Sequence, residues 1–570
     1  MISGILASPG LAFGRALLLQ TETILIKKKK ITPINIECEI EKLSQAKIKS
    51  IQQLKNIQKQ SKKIFSKKES DIFEGHIMIL EDIELEKEII TLIKKKYRTA
   101  EFAIEYSISK QVEKIKKIKN IYMQNRAIDV RDIGNRWLRN LLNLKTINLK
   151  NITEQVILIA HDLTPSQTAQ MNFKYIQGFI TNLGGETAHT SIMARSLEIP
   201  AIVGTGNITE KVINGDFIIL DSINNKILIN PDKKTINSFK IQKQKYLNKK
   251  KKLKKFISLP AITIDKRKIE ISANVSNMQD ILNAKKYGAE SIGLYRTEFL
   301  FMERTELPSE KEQFHEYKKA AVMMKNRPVI IRTMDIGGDK EIPYMNFQKE
   351  ENPFLGWRAI RVSLDRKDIL GTQLRAILQA SHFGKLRILF PMVISIEEIQ
   401  ELKEEISQAK YILNKKKIPF DQNIKIGIMI ETPASAIIAN HLIQEVDFFS
   451  IGTNDLTQYT LAVDRRNDLI SHLYNPMSPS ILKLIYKVIN ASHQAGKWTG
   501  MCGEFAGNEK ATILLLGMGL NEFSMNASFI PKIKKIIRKT TFKKAQELSN
   551  MVLKQTTTKN IMTLISNFIL

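Results

Sequence analysis

The N-terminal quarter of the chain shows two different hydrophobic patterns. Residues 2–20 contain short apolar runs around Pro9, which predict a strand followed by a turn. From Pro33 to about Asn143, apolar side chains recur every third or fourth position among Lys, Gln and Glu, with few Gly or Pro residues. This spacing predicts an antiparallel helical subdomain. Its later helical runs are expected at Ile72–Ile93, Ala100–Ile118 and Ile121–Leu142.

Short strand-like runs return at Gln155 and alternate with helical ones, which indicates an α/β unit. We expect the N-terminal strand and turn to join this unit, so that the helical subdomain is an insertion within it. The candidate strands are Val156–Ala160, Tyr175–Thr181, Ala201–Val203, Phe217–Asp221 and Lys226–Ile229.

A lysine-rich segment follows at residues 231–260. It shows almost no apolar spacing, and Leu253 alone interrupts the lysine run from Lys249 to Lys255. We interpret this segment as a solvated helical linker that buries no apolar surface. A nucleic-acid-binding segment is the alternative for a run of this kind.

After Pro260, strand and helix patterns alternate eight times over about 310 residues. This alternation predicts a (β/α)8 barrel of the TIM type, with parallel strands inside and helices outside. The candidate strands are Ile269–Val275, Ser291–Arg296, Val329–Met334, Arg387–Met392, Lys425–Glu431, Phe448–Gly452, Trp498–Gly503 and Asn521–Met525.

These patterns together predict an α/β multidomain protein. The α/β domain takes residues 1–22 and 144–230, the helical insertion 23–143, the helical linker 231–260 and the barrel 261–570.

Composition excludes several classes of protein. The two cysteines, Cys38 and Cys502, are too few for a disulfide framework and indicate a reducing, cytoplasmic compartment. No run of about 18 apolar residues occurs, so no membrane span is predicted. The formal net charge is +30, but the lysines are scattered, and we attribute the charge to compositional bias rather than to nucleic-acid binding.

One histidine stands where a glycine pair meets a helix-like run. Gly184 and Gly185 let the backbone approach a bulky anion, and the following helix would point free N–H groups at that anion. The imidazole of His189 could take a phosphoryl group on one ring nitrogen while a hydrogen bond fixes the other. A structural histidine after a Gly-Gly turn is the alternative for so short a string.

Polar residues end most strands of the predicted barrel, where the active sites of such barrels lie. Arg296 and Arg332 end neighbouring strands, and Arg358 and Arg465 lie on later loops. Their guanidinium groups suit recognition of phosphate and carboxylate. The other polar residues at strand ends are Asn274, Glu431, Asn454, Asp455, Cys502 and Ser524.

Three of these strand-end residues suggest further chemistry. Glu431 and Asp455 are predicted to end consecutive strands about 5 Å apart, which suits an Mg²⁺ ion that a substrate's own oxygens also bind. Cys502 is expected at the end of the seventh strand, where it could give a proton to carbon. Inert core packing is the alternative for a single cysteine.

The chain resembles Enzyme I of the bacterial phosphoenolpyruvate:sugar phosphotransferase system over essentially its full length. The run Gly184–Arg195, with Leu197–Gly204 directly after it, resembles the phosphohistidine signature of phosphoenolpyruvate-utilising enzymes. The other matching strings are Ser3–Ala16, Phe73–Asp82, Asp162–Ser166, Gly293–Leu300, Arg332–Lys340, Gly427–Pro433, Ser450–Leu456 and Met501–Glu504.

The resemblance implies a phosphohistidine enzyme whose barrel binds phosphoenolpyruvate through Mg²⁺ on Glu431 and Asp455. His189, in the α/β phosphohistidine domain, would attack phosphorus. Cys502 would then protonate the methylene carbon of enolpyruvate to give pyruvate. The expected substrate-binding residues are Arg296, Arg332, Asn454, Asp455 and Arg465.

The resemblance also implies two protein partners. The phosphoryl group would pass from His189 to a histidine of the carrier protein HPr, which docks on the helical insertion, and the barrel would form a homodimer. No nucleic acid and no insertion into the membrane are expected. The expected contacts with HPr are Glu74, His76, Met78, Asp82 and Glu84.

Two departures from the family pattern concern charge. Glu186 stands close to the reactive histidine, where the family usually has Arg or another residue, and an acid there could oppose an incoming anion. Lys67 and Lys68 precede Glu69, where similar proteins meet a basic patch of HPr with an acidic one.

Two other functions compete with this interpretation. A pyruvate, phosphate dikinase or phosphoenolpyruvate synthase shares the histidine domain and the barrel but needs a nucleotide-binding domain. The part of the chain before His189 contains no Gly-rich loop that would cradle phosphates. The second competitor is a basic nucleic-acid-binding protein on a degenerate enzyme scaffold, against which the intact set of strand-end residues argues.

Overall fold

The structure is a computed structural model that divides into two compact units, residues 1–248 and 249–570. It describes residues 3–19, 26, 28–64, 67–117, 121–144, 152–168, 171–185, 189–302, 304–337, 342–345, 347–348, 350–465, 467 and 469–569. Within these residues no helix is both long enough and apolar enough to cross a membrane.

A seven-stranded mixed sheet forms the centre of the first unit. Its strands run in the order β1-β5-β4-β3-β2-β6-β7. The four central strands β5, β4, β3 and β2 are parallel, whereas β1, β6 and β7 pair antiparallel to their neighbours. The N-terminal segment therefore joins this sheet, as predicted. The strands are β1 (Ile5–Ser8), β2 (Leu11–Leu19), β3 (Val156–Ala160), β4 (Ile176–Thr181), β5 (Ala201–Val203), β6 (Phe217–Asp221) and β7 (Lys226–Ile229).

Between β2 and β3 the described residues form five successive α-helices, whose apolar faces share one core around the buried Trp137. The single run predicted at Ile72–Ile93 is two helices, because the Asp82 carboxylate accepts hydrogen bonds from the N–H groups of Glu84 and Leu85 and begins a new helix. The helices are α1 (Ile36–Ile64), α2 (Lys67–Leu80), α3 (Ile83–Lys96), α4 (Ala100–Lys116) and α5 (Ile121–Leu141).

The helices described after β3 in this part of the chain are α6 (Pro165–Thr168), α7 (His189–Ser196), α8 (Ile208–Lys211) and α9 (Lys233–Lys254). The lysine-rich segment is helical, as predicted, but its expected lack of buried apolar surface is wrong for the N-terminal half of α9. Phe239 is 6% exposed and packs in one cluster with Leu11 and Ile219. Ile236 and Tyr246 of α9 also pack against this cluster, so apolar residues with helical spacing were present but sparse among the lysines.

The second unit contains a closed barrel of eight parallel strands, which confirms the predicted fold class. All eight candidate strands are present, and each lies within one or two residues of its predicted bounds. The strands are β8 (Glu270–Val275), β9 (Ser291–Tyr295), β10 (Val329–Arg332), β11 (Leu386–Phe390), β12 (Lys425–Ile430), β13 (Phe448–Ile451), β14 (Trp498–Met501) and β15 (Glu522–Met525).

Helices follow the barrel strands, and their apolar faces build the largest core of the chain together with the outer faces of the strands. They are α10 (Met278–Lys286), α11 (Phe299–Met302), α12 (Glu310–Met324), α13 (Ile360–Asp365), α14 (Lys367–Ser381), α15 (Ile396–Lys415), α16 (Pro433–Ile437), α17 (Ala439–Glu445), α18 (Thr453–Leu461), α19 (Pro479–Gln494), α20 (Thr512–Gly517), α21 (Ile530–Arg538), α22 (Phe542–Leu553) and α23 (Thr558–Ile569).

A smaller apolar cluster fills the inside of the barrel. Alternation along the strands turns Leu294, Ile330, Leu389 and Met429 inward, and Cys502 packs against the same cluster. The polar side chains at the C-terminal ends of the strands therefore lie above this apolar cluster.

Candidate active site

Glu431 is the most deeply buried acid at the C-terminal ends of the barrel strands. It follows β12 directly and is 1% exposed. Its Oε1 accepts a hydrogen bond of 2.7 Å from the backbone N–H of Met392, a residue held at φ 61° in the left-handed region. Burial, followed by the negative charges of Asp455 and Asp335, raises the pKa of Glu431 to about 8.

Asp455 does not end a strand, contrary to the sequence prediction. Strand β13 ends at Ile451, and Asp455 is the third residue of the following helix α18. Its carboxylate lies 3.5 Å from a guanidinium nitrogen of Arg358. The first turn of a helix is a position where an acidic side chain is favourable.

A chain of ion pairs connects Asp455 to two buried arginines. Arg332 lies 2.6 Å from Glu298 and 3.1 Å from Asp335, and Arg358 lies 2.9 Å from the other oxygen of Asp335. Burial opposes the charge on Arg332, but the two carboxylates more than offset it and raise its pKa. Both guanidinium groups are therefore fixed in place and fully charged.

Arg358 is also held from the side of helix α18. Its Nη1 donates a 3.1 Å hydrogen bond to the hydroxyl of Tyr459, which in turn donates to the backbone carbonyl of Phe354. The next residue, Ala359, has φ 53°, an unusual backbone conformation for a residue with a side chain. The placement of Arg358 is thus accompanied by local strain in the loop before α13.

The balance of charge in this group favours a cation. Three carboxyl groups, those of Glu298, Asp335 and Asp455, are ion-paired with two guanidinium groups, and the charges of the whole set act on a fourth carboxyl group, that of Glu431. Fully ionised, the set would carry two surplus negative charges, which one divalent cation would neutralise. In the described part of the chain, no three His, Cys, Asp or Glu residues lie close enough together to form a complete protein-made metal site.

The remaining predicted substrate-binding residues lie around this group. Arg296 follows β9 and is near enough to Cys502 to stabilise a negative charge there. The amide Oδ1 of Asn454 accepts a hydrogen bond from the N–H of Glu504, and its backbone carbonyl accepts one from Tyr474. Arg465 is exposed after the end of α18 and its charge also acts on Tyr474.

Cys502 follows β14 and is 4% exposed. Its backbone N–H donates to the carbonyl of Ile451 at 3.1 Å, and its thiol points to the same oxygen at 3.9 Å. Burial raises the pKa of the thiol to about 11, although a nearby Ser450 hydroxyl and Arg332 lower it in part. The thiol therefore keeps its proton at neutral pH.

His189 is the first residue of helix α7, in the first unit. Before it, Gly184 has φ 114°, and a Cβ there would lie 3.1 Å from Val203, so a side chain would be strained. The hydroxyl of Ser191 donates to the carbonyl of Gly185 and ties the glycine pair to the helix. The side chain of His189 and the whole of Glu186 lie outside the described residues.

Comparisons with known proteins agree along the whole chain. Three family profiles match: PEP-utilising enzyme, N-terminal, at residues 3–126; PEP-utilising enzyme, mobile domain, at 152–225; and PEP-utilising enzyme, PEP-binding domain, at 250–542. The phosphoenolpyruvate-protein phosphotransferase of Buchnera aphidicola subsp. Schizaphis graminum is 64% identical over 570 residues, which is 100% of both chains. That of Haemophilus influenzae is 52% identical over 570 residues and covers 100% of this chain and 99% of its own.

The chain belongs to the phosphoenolpyruvate-protein phosphotransferase family. This confirms the predicted resemblance to Enzyme I and its assignment as an enzyme, in preference to a nucleic-acid-binding protein on a degenerate scaffold. A solution NMR structure of Enzyme I (nEIt) is 41% identical, covers 43% of this chain and 99% of its own, and has a TM-score of 0.39.

Four of the carrier contacts expected from the phosphotransferase family are exposed, and one is not. Glu74, Met78 and Glu84 face solvent, with Met78 68% exposed. Asp82 is exposed as well, although its carboxylate is used as a helix cap. His76 is 1% exposed, its Nε2 lies 3.6 Å from Asp129, and it cannot touch a partner in this arrangement. The side chains of Lys67 and Lys68 lie outside the described residues.

The sequence patterns did not indicate four residues that complete this group of charged side chains. Glu298 and Asp335 lie inside strings that were quoted for the family resemblance, so the motif itself was a usable signal. The backbone N–H of Met392 and the hydroxyl of Tyr459 left no such signal, because their contacts depend on the neighbouring strands and loops.

Proposed function

We propose that this enzyme transfers the phosphoryl group of phosphoenolpyruvate to His189 and then to a histidine of HPr, releasing pyruvate. This reaction would be the first step of sugar uptake by the phosphotransferase system. One observation supports the proposal. Two charged arginines that ion pairs hold in place, Arg332 and Arg358, lie near Glu431 and Asp455, above the apolar cluster at the C-terminal ends of the barrel strands.

The arginines suit a small substrate with phosphate and carboxylate groups. Because Glu298 and Asp335 already hold Arg332 and Arg358 in place, little side-chain freedom is lost when an anion binds. Arg296, Arg465 and the amide of Asn454 would complete the binding of phosphoenolpyruvate around its phosphate and carboxylate.

The donor set also suits Mg²⁺. Two carboxylates are too few to enclose the ion, and substrate oxygens and water would supply the other ligands that Mg²⁺ prefers. Glu431 and Asp455 would hold it. Bound there, Mg²⁺ would neutralise charge on the transferring phosphoryl group.

The protein residues would divide the remaining chemistry. His189 would attack phosphorus, which breaks the bond to the enol oxygen, while Arg332 and Arg296 stabilise the charge that develops. The thiol of Cys502, which keeps its proton at neutral pH, would then protonate the methylene carbon of enolpyruvate. Pyruvate forms as the enol oxygen becomes a carbonyl oxygen, and water reprotonates the thiolate.

The helical insertion would dock HPr through the exposed surface of α2 and the start of α3, which we call the carrier surface. We define it by Glu74, Met78, Asp82 and Glu84, and we leave out His76 because of its burial. Homodimerisation through the barrel and a cytoplasmic location complete the proposal, and both rest on the family resemblance.

Labelled phosphoenolpyruvate tests this function directly. With Mg²⁺ present, we expect the enzyme to take up one acid-labile phosphate that maps to His189, to pass it to HPr, and to release pyruvate. The variant His189→Gln should lose the label completely. His382→Gln, which changes an exposed histidine on the barrel, is the matched control and should label normally. Normal labelling of His189→Gln, or a label that requires ATP, would contradict the proposal.

A further inference from the structure

Asn274 and Ser524 are two polar residues inside the barrel that the proposed chemistry does not use. Asn274 lies on β8 and Ser524 on β15, the strand between β8 and β14 in the closed barrel. Ser524 is 1% exposed and Asn274 is partly buried. Burying two polar side chains in a barrel interior is costly unless their hydrogen bonds are made, so their partners indicate their purpose.

The two side chains form a directed hydrogen-bond chain that ends on Cys502. The Nδ2 of Asn274 donates to the backbone carbonyl of Cys502 at 2.8 Å. The hydroxyl of Ser524 donates to the Oδ1 of the same amide at 2.6 Å. A carbonyl oxygen can only accept, so the amide must turn its nitrogen to Cys502 and its oxygen to Ser524, and no other assignment satisfies the chain.

These two hydrogen bonds hold Cys502 from the side opposite β13. Strand β13 already holds the residue, because the N–H of Cys502 donates to the carbonyl of Ile451. Asn274 holds the carbonyl of Cys502 from β8, two strands away on the other side. With both ends of the residue fixed, the direction in which its side chain leaves the backbone is fixed as well.

Strand β9 leaves room for this arrangement at Gly293. A Cβ at Gly293 would lie 2.5 Å from the Oγ and 2.6 Å from the Cβ of Ser524. Real Cβ atoms do not approach other atoms so closely, so a side chain at 293 would push against Ser524, and also against Oε1 of Glu522, which would lie 2.7 Å away. This accounts physically for one glycine of the string Gly293–Leu300.

We propose that Asn274 and Ser524 are positioning residues that hold Cys502 for protonation of the substrate carbon and have no part in the phosphoryl step. The proposal rests on the proposed function. In the step concerned, the proton leaves Sγ and the electron pair of the enol double bond forms the new C–H bond at the methylene carbon. The negatively charged enolate oxygen that phosphoryl transfer leaves becomes the carbonyl oxygen of pyruvate, and water returns a proton to the thiolate.

The test compares Ser524→Ala with Ser492→Ala in the full-length enzyme. Ser492 is also fully buried, and its hydroxyl accepts a 2.6 Å hydrogen bond from Thr499 on β14, the strand that leads to Cys502. Each variant therefore removes one buried serine hydroxyl next to the same strand. Only Ser524→Ala breaks the chain to Cys502.

Three readouts separate the steps. The first is the rate of pyruvate formation in a single turnover, and the second is the rate of phosphate exchange between the enzyme and HPr. The third is the configuration of the pyruvate methyl group formed from phosphoenolpyruvate stereospecifically labelled at C3, in isotopically labelled water. A thiol fixed on one face of the enol gives a single configuration, whereas protonation by water gives both.

We expect Ser524→Ala to slow pyruvate formation by about 10- to 100-fold and to mix the two configurations, since small misplacements of a reacting group have effects of this size. Phosphate exchange with HPr should change by less than about twofold. Gly293→Ala, which keeps every hydrogen-bonding group, should reproduce the same separation. Ser492→Ala should leave all three readouts as in the wild type.

Equal losses in pyruvate formation and in phosphate exchange for Ser524→Ala would overturn the inference, and so would a single methyl configuration at the wild-type rate. Failure of the proposed function looks different. In that case the wild-type enzyme itself would not take up label from phosphoenolpyruvate or exchange phosphate with HPr.

Discussion

Glu431 and Glu522 are two glutamates buried inside the same barrel, at opposite ends of its strands. Glu431 follows the C-terminal end of β12, whereas Glu522 is the first residue of β15. They are 1% and 2% exposed. Burial is the largest cause of a raised pKa in both, to about 8 for Glu431 and about 7 for Glu522. Depth of burial alone therefore does not distinguish the proposed active-site acid from another buried acid.

The surroundings of the two carboxyl groups differ. Glu431 adjoins Asp455, Asp335 and two fixed arginines, a set with surplus negative charge that suits a charged ligand. Glu522 has one acid, Glu270, and one cation, Arg387, near it and accepts a hydrogen bond from Ser272. Gly293 and Gly500 lie against its carboxyl oxygens. The glycines leave space for the carboxyl group and nothing larger. The comparison shows that several acids around ion-paired arginines distinguish the surroundings of Glu431, whereas tight enclosure distinguishes those of Glu522.

Removing each carboxyl group in turn should give the largest difference in activity between the two glutamates. Glu431→Ala should lower Mg²⁺-dependent transfer from phosphoenolpyruvate to HPr by about 1000-fold, because it removes a charge on which the bound group depends. Glu522→Gln should change the same rate by less than about twofold. Steady-state pyruvate release measures both, and comparable losses in the two variants would show that burial, not charge, sets the site apart.

The pH dependence of stability sharpens the comparison at Glu522. The pKa of this carboxyl group is about 7 in the folded barrel against an ordinary value of 4.5, so between these pH values the folded protein keeps a proton that the unfolded chain loses. Its contribution to stability falls as pH rises through this window and is constant above it. Glu522→Gln has no proton to lose at this position, so it avoids this loss of stability. Its free energy of unfolding at pH 8 should exceed that of the wild type by about 3 kcal/mol.

Urea unfolding of both proteins at pH 5 and pH 8, followed through the barrel transition, measures this effect. The difference between the two proteins reports Glu522 together with its interaction with Glu270, because the other titrating groups are common to both. A gap between the variant and the wild type that stays the same at both pH values would show that Glu522 keeps an ordinary pKa.

Gly500 tests the enclosure around Glu522. A Cβ at this position would lie 2.4 Å from Oε2 of Glu522, whose other oxygen is held by Ser272. We expect Gly500→Ala to destabilise the barrel by about 2 kcal/mol, since overpacking forces buried groups to move. Gly371→Ala is the control, because its Cβ would meet only the flexible end of Arg375. Thermal unfolding distinguishes the two, and equal stability of both variants would contradict the enclosure.

The smallest expected effect comes from Arg387, the cation near Glu522. Its guanidinium lies 4.9 Å from the ring centre of Trp498, which stacks on Phe448. Arg387→Gln should cost about 1 kcal/mol through this contact. Loss of the positive charge should also raise the pKa of Glu522 further, so the pH-dependent loss of stability extends to higher pH. Unfolding curves between pH 5 and pH 9 check both parts.

Local patterns in the sequence determined the elements of this fold. The predicted bounds of β3, β5, β6 and β7 match those in the structure, and all eight barrel strands stand where the alternation placed them. This succeeds because an apolar run in a buried strand is a property of a few consecutive residues. The family strings likewise contained Glu298 and Asp335 before their roles were visible.

The tertiary structure alone decided which side chains meet and how deep they lie. His76 lies on the same buried face of α2 as Phe73 and Leu80, and Phe239 packs on the sheet, but which elements cover these faces is set by the fold. Asn274 reaches Cys502 across 228 positions of sequence because barrel closure brings β8 beside β15. Contacts of this kind depend on strand order, register and closure, which are properties of the whole barrel and not of any one segment.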